Sequence, residues 1–315
     1  MIANRKKLCA ILCLALASVG PAYALTNEEL LELVLAGSKQ TVSSIKSGMG
    51  KVTVDDTRKD ASGVAESETQ FAFEYYFSGD KTALTMEQIL VKPGGQYKPP
   101  AGLKAKERAL IDGQKVYVLS VIDNYGLIGS LATDAGHHVT SFLRLIGIWK
   151  RGLSAPDGSA DNIPGRIIRV TGSESVNGRQ CVIVEFSWTD KYADSKDTQH
   201  WHSYWIDTER GYSTLRARSW YAGGDTSISK TLEGESNTEV KDYGNGIWAP
   251  TKITSDTYNV DLKTADLKSI KHRVITYDLE FKINQPVPDE KFLPLEFPSG
   301  TRVSDELLNA TYTVP

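Results

Sequence analysis

Two histidines one residue apart, His200 and His202, come nearest in this sequence to a metal site. At the two-residue period of a strand both imidazoles fall on one face, as two ligands of a zinc or copper ion must. A third ligand is then needed, and Asp194, Asp197 and Asp207 are the carboxylates nearby. The competing reading is a pair of half-buried histidines at a strand end. The neighbours His137 and His138 diverge in any regular backbone. Ser43-x-x-Lys46 matches the nucleophile motif of penicillin-interacting enzymes, but the partner motifs Ser-Asp-Asn and Lys-Thr-Gly are absent. The carboxylate pairs Asp55-Asp56 and Asp289-Glu290 read as solvated turn charges, without the apolar frame that raises a pKa for acid–base work. No HExxH, CxxC, Gly-x-Ser-x-Gly or glycine-rich phosphate loop occurs. Residue types alone therefore point away from catalysis, and no cofactor is implied.

The elements that would carry these residues are mainly strands. Thr26-x-x-Glu29 has the form of a capping box, and Leu30, Leu33, Val34, Val42 and Ile45 follow at helical spacing, with Gly48 as the expected stop. The period then changes to two. Phe71, Phe73, Tyr75 and Phe77 alternate with Ala72, Glu74 and Tyr76, the pattern of a half-buried strand. Asp112-Gly113 and Asn177-Gly178, each between apolar runs, predict tight hairpins. Further strands are expected over 200–206, 213–221, 239–243 and 248–258. The clearest runs through Ile275, Tyr277, Leu279, Phe281 and Ile283. Short turns between successive strands argue for antiparallel order, since parallel pairing needs long crossovers. Trp188, Trp201, Trp205 and Trp220 lie on neighbouring predicted strands, where they pack a core or line a groove.

Two stretches break the alternation. Residues 92–105 are rich in Pro, Gly and Lys and read as an exposed loop insertion. Residues 139–149 are the opposite: Val139, Phe142, Leu143, Leu145, Ile146, Ile148 and Trp149 leave little polar face. Such a segment is a buried helix or a lid over something apolar.

The N-terminus reads as an export signal. Arg5, Lys6 and Lys7 precede an apolar run over 8–19, and Ala22-Tyr23-Ala24 offers a cleavage site after Ala24. The run is too short to span a bilayer, which takes about 20 apolar residues. Cleavage at Ala24 leaves no integral membrane segment and a periplasmic or otherwise exported chain, read as one domain over 25–315. Cys9 and Cys13 leave with the signal, so Cys181 alone remains and no internal disulfide can form. The full chain carries a formal charge of −3, and losing three basic residues makes it more acidic. That balance gives no footprint for nucleic acid.

Several pieces follow one another in a known order. The helix leads into Gly48-Met49-Gly50-Lys51-Val52-Thr53-Val54 and then the Phe71 strand with its Gly79-Asp80-Lys81 turn. Ile111-Asp112-Gly113-Gln114-Lys115-Val116-Tyr117 comes next. Tyr204-Trp205-Ile206-Asp207-Thr208-Glu209-Arg210-Gly211-Tyr212 and Asp242-Tyr243-Gly244-Asn245-Gly246-Ile247-Trp248-Ala249-Pro250 follow, and Pro288-Asp289-Glu290-Lys291-Phe292 stands near the end. In these pieces the chain resembles the LolA-like superfamily of periplasmic lipoprotein carriers, outer-membrane lipoprotein-sorting proteins and a sensor that binds an anti-sigma factor. The resemblance implies a mainly β fold, a strongly curved antiparallel sheet forming an unclosed half-barrel covered by helices. It also implies a groove for lipid acyl chains or lipidated proteins, with Phe71, Phe73 and Tyr75 as wall and Phe142, Leu145, Ile146 and Trp149 as lid. No motif selects a release arginine among Arg144, Arg216 and Arg218. The expected partner is a lipid or acylated lipoprotein. The alternatives are a regulatory sensor of the same fold binding a membrane-anchored anti-sigma partner or another envelope protein, a metal-dependent enzyme using His200 and His202, and a structural envelope protein.

Overall fold

The computed structural model describes residues 25–60, 62–93, 106–121, 123–130, 166–190, 197–222, 230–260 and 269–315. The segment expected to be a signal, most of the expected 92–105 loop and the whole 139–149 segment lie outside the described residues.

Helix α1 (Asn27–Ser44) opens the described chain. Thr26 caps it: its hydroxyl accepts from Glu29 N–H, and the Glu29 carboxylate accepts from Thr26 N–H at 2.9 Å. The two groups satisfy donors that a helix start leaves unpaired. The helix stops at Ser44, ahead of the expected Gly48, because Ile45 is already extended. Gly48 belongs to strand β1 (Ser47–Lys59), where a side chain would collide with the Phe77 ring. Its missing Cβ serves sheet packing, not helix termination.

Fourteen further strands follow: β2 (Ala65–Ser78), β3 (Lys81–Pro93), β4 (Lys106–Asp112), β5 (Lys115–Ser120), β6 (Tyr125–Ser130), β7 (Ile167–Val176) and β8 (Arg179–Asp190). Then come β9 (Thr198–Asp207), β10 (Ser213–Ala222), β11 (Thr231–Asp242), β12 (Trp248–Val260), β13 (Ser269–Ile283), β14 (Arg302–Asp305) and β15 (Ala310–Thr313), with a 3-10 turn at Asp289–Phe292. All fifteen form one sheet in the order β15-β14-β6-β5-β4-β3-β2-β1-β13-β12-β11-β10-β9-β8-β7. Among the described residues it does not close: β15 and β7 are its edges. This is the mainly β, unclosed architecture that the sequence implied.

Pairing is antiparallel except between β6 and β14, which run parallel. That exception follows from sequence distance, because the C-terminal strand reaches an edge laid down much earlier and no tight turn dictates its direction. The predicted hairpins are present, with positive φ at Gly113, Asn177 and Gly178. Asp55 and Asp56, expected at a turn, sit inside β1. Asp56 is buried and bound through two oxygens to Arg273 of β13, with the Arg273 Nε contact at 2.8 Å.

Directly opposed residues share a face, so the registers trace one row across the sheet. From β1 to β7 it reads Asp56, Ile275, Ser255, Ser236, Ala217, Tyr204, Val184 and Val170. On this face lies the main core, which includes Val52, Val54, Tyr75, Phe77, Ile111, Val116, Ile253, Tyr277, Leu279 and Phe281. Also on it, near β7, lies a second cluster where Val34 of α1 meets Val170, Val184, Phe186 and Ile206. Helix α1 docks closely because Gly37 has no side chain where the Tyr212 ring lies.

Candidate functional site

Phe71, Phe73 and Tyr75 occupy alternate positions of β2 and therefore one face, the face of the main core. Tyr75 is fully buried, stacked 5.9 Å from Phe77 and edge-on to Phe281 at 5.5 Å. Burial pushes its phenol well above the usual tyrosine range. Phe71 and Phe73 are half-buried, 6.3 Å apart, and extend this apolar surface along the strand. The four residues expected to form a lid, Phe142, Leu145, Ile146 and Trp149, lie outside the described residues.

Between the two apolar clusters the same face carries small residues. Ala217 and Ser219 of β10, Gly234 and Ser236 of β11, and Ser255 of β12 all point to it, and all are half-buried. Among the described residues, these small side chains in adjacent strands mark a shallow trough. The main cluster bounds it on one side and Phe186, Tyr204 and the α1 cluster on the other. The sequence reading did not find this trough. Its signal is a cross-strand row of small residues, visible only once register is known.

A cavity of about 570 Å³ lies at β1, β2 and β13, and by register Met49, Lys51, Glu74, Tyr76, Glu280 and Lys282 of its lining belong to the face opposite the main core. Leu279 and Phe281 from the cluster line it with Met49, Tyr76 and Tyr243, and lysine and glutamate side chains ring it. It does not include Phe71, Phe73 or Tyr75. Lys51 pairs with Glu74 at 3.4 Å, and the Lys291 ammonium lies 4.6 Å over the Tyr76 ring.

His200 and His202 do share a face, as their spacing required. They pack on Trp188, stacked at 5.0 Å and edge-on at 4.8 Å respectively. His200 Nε2 lies 3.1 Å from Asp190 Oδ2 but out of line for a hydrogen bond. His202 Nδ1 is 3.5 Å from the Tyr204 hydroxyl. Asp207, one suggested third ligand, is fully buried and engaged by Arg179 Nε at 3.0 Å and by the amides of Glu209 and Arg210. Among the described residues no group of three His, Cys, Asp or Glu could hold a metal ion. Ser43 spends its hydroxyl on the Gln40 carbonyl at 2.9 Å, and Lys46 lies beyond the end of α1. Cys181 is fully buried, and burial raises its thiol pKa.

The four tryptophans do not act together. Trp188 faces the trough side with the histidines, whereas Trp201, Trp205 and Trp220 project from the opposite face. Arg216 and Arg218 lie over the Trp205 ring, at 5.6 and 5.3 Å, and Trp205 donates its N–H to Glu174 at 2.9 Å. Arg216 and Arg218 are also paired with Glu235, at 3.6 and 3.1 Å.

No described helix is long and apolar enough to cross a membrane, which says nothing of strands. No family model and no curated protein matches the sequence. Among solved structures, a DUF1329 family protein from Desulfovibrio piger is 13% identical, over 85% of this chain and 98% of that one, with a TM-score of 0.48. A LolA superfamily protein from Nitrosomonas europaea is 15% identical over 86% and 99%, with a TM-score of 0.44. An outer membrane lipoprotein-sorting protein domain from Vibrio parahaemolyticus is 9% identical over 83% and 95%, with a TM-score of 0.45. With every TM-score below 0.5, function rests on this chain's own residues. These are solved structures to which the chain is similar.

Proposed function

We propose that the mature chain is an exported binding protein for acyl chains, free in a lipid or attached to a protein, and that it performs no chemistry on them. One observation carries this reading: a single sheet face bears an aromatic wall, a trough of small residues and a second apolar wall in sequence across adjacent strands. An acyl chain laid in the trough contacts Phe71 and Phe73 at one end of the face. Each methylene removed from water contributes about 0.8 kcal/mol, so a long chain binds without a polar anchor. Cleavage after Ala24 delivers the protein to the compartment where such ligands cross between membranes.

The test is displacement of a fluorescent fatty-acid probe from residues 25–315. Ala217→Phe, which fills the trough, should weaken probe binding at least tenfold. Phe71→Ala, at the wall, should weaken it about three- to tenfold, in line with the lost apolar contact. Lys291→Ala, away from the trough, should leave it unchanged. Saturable binding that is indifferent to both Ala217→Phe and Phe71→Ala would overturn the placement. Absence of any saturable binding in the wild type would overturn the function.

A further inference from the structure

The face opposite the trough holds a site of different chemistry. Trp201 on β9 and Trp220 on β10 are a directly opposed cross-strand pair. The Lys230 ammonium sits over both rings, 4.9 Å from one centroid and 4.5 Å from the other. On β8, the strand on the far side of β9, Glu185 brings Oε2 to 3.4 Å from the same ammonium. Two indole faces and a carboxylate around one cation form an aromatic cage, the arrangement that recognises alkylated ammonium ions.

The cage and its occupant are built differently. Glu185 is 9% exposed and its Oε1 is held by Arg169 at 2.7 Å, while the Ser203 hydroxyl approaches Oε2 at 3.5 Å. The three walls are thus fixed on adjacent strands of the sheet. Lys230 is 40% exposed, stands just before β11, and reaches the cage on a flexible four-carbon stem. An ammonium that arrives from solution can take its place without moving a strand. The exchange also conserves charge, since one cation replaces another beside Glu185.

We propose that Trp201, Trp220 and Glu185 form a binding site for a small methylated ammonium cation, and that Lys230 is an internal competitor that occupies it when no ligand is bound. A primary ammonium is strongly hydrated and prefers water; a methylated one is less so, which favours the ligand inside the cage. Because Lys230 fills the cage, the observed affinity is the intrinsic one reduced by the fraction of time the cage stands open. The same chemistry is offered by a free methylammonium solute and by a choline headgroup. The residues are distinct from the acyl trough, so the two readings fail independently.

The test is titration of residues 25–315 with tetramethylammonium chloride at constant ionic strength, followed by tryptophan fluorescence and calorimetry. Wild type should bind saturably, and Lys230→Ala and Lys230→Gln should both bind at least tenfold more tightly. Trp201→Ala should abolish binding and Glu185→Gln should weaken it at least tenfold, in each case with an unchanged far-ultraviolet circular dichroism spectrum. Choline should bind and its neutral isostere 3,3-dimethylbutanol should not. If neither Lys230 variant binds more tightly than wild type, or if the neutral isostere binds as well as choline, the proposal is wrong. Co-sedimentation of the Lys230 variants with phosphatidylcholine vesicles assigns the headgroup as the source, and cation binding without co-sedimentation assigns the free solute.

Discussion

At the scale of single residues the chain invests its buried polar groups in holding turns and strands. Asp207 is the clearest case: fully buried, it accepts from Arg179 and from two backbone amides of its own turn. Asp207→Ala leaves those donors unpaired and should cost about 3 kcal/mol in urea denaturation. Tyr277 gives a pH signature. Burial raises its pKa from 10.0 to about 12. A folded pKa above the unfolded one means that the stabilising contribution is complete below pH 10 and is lost as pH rises toward 12. Stability should therefore fall by about 2–3 kcal/mol over that window. Tyr277→Phe should flatten the fall, which thermal melts from pH 9 to 12 would reveal. Little of this was legible beforehand. Asp56 looked like a turn charge because its partner Arg273 lies more than two hundred positions away, and only the sheet brings them together.

Elements were more legible than residues, and the reason is local. The Thr26 capping box, the Phe71–Phe77 alternation and the Asp112-Gly113 and Asn177-Gly178 turns encode their geometry within a few residues, and all occur as expected. Strands β6, β14 and β15 were not anticipated. The first carries two glycines in six residues, and the other two are four residues long with few apolar positions. β6 pairs locally with β5 and β15 with β14, but the β6–β14 pairing that ties them together is long-range, and no local pattern records it. Gly50 shows the same limit from the other side. It sits in β1 where a Cβ would enter the Phe281 ring, so Gly50→Ala should destabilise by about 1–3 kcal/mol. A change below 0.5 kcal/mol in equilibrium unfolding would mean that the aromatic core accommodates a methyl group there.

The described strands form one open sheet with two faces put to different uses. One face carries two of the apolar clusters and the trough, and the other carries the cluster around Trp205, its arginine contacts and the Lys230 cage. The sequence supplied aromatic residues for both but not their assignment, because Trp188 and Trp201 differ only in strand and register. The central claim is that the trough face holds an acyl chain. Native mass spectrometry of the mature protein purified from its source envelope, with extraction and identification of bound lipid, tests it most directly. The account predicts an added mass matching an acyl species, displaced by a competing fatty acid and absent from Ala217→Phe. A protein that carries no acyl adduct and takes none up from added lipid would contradict it.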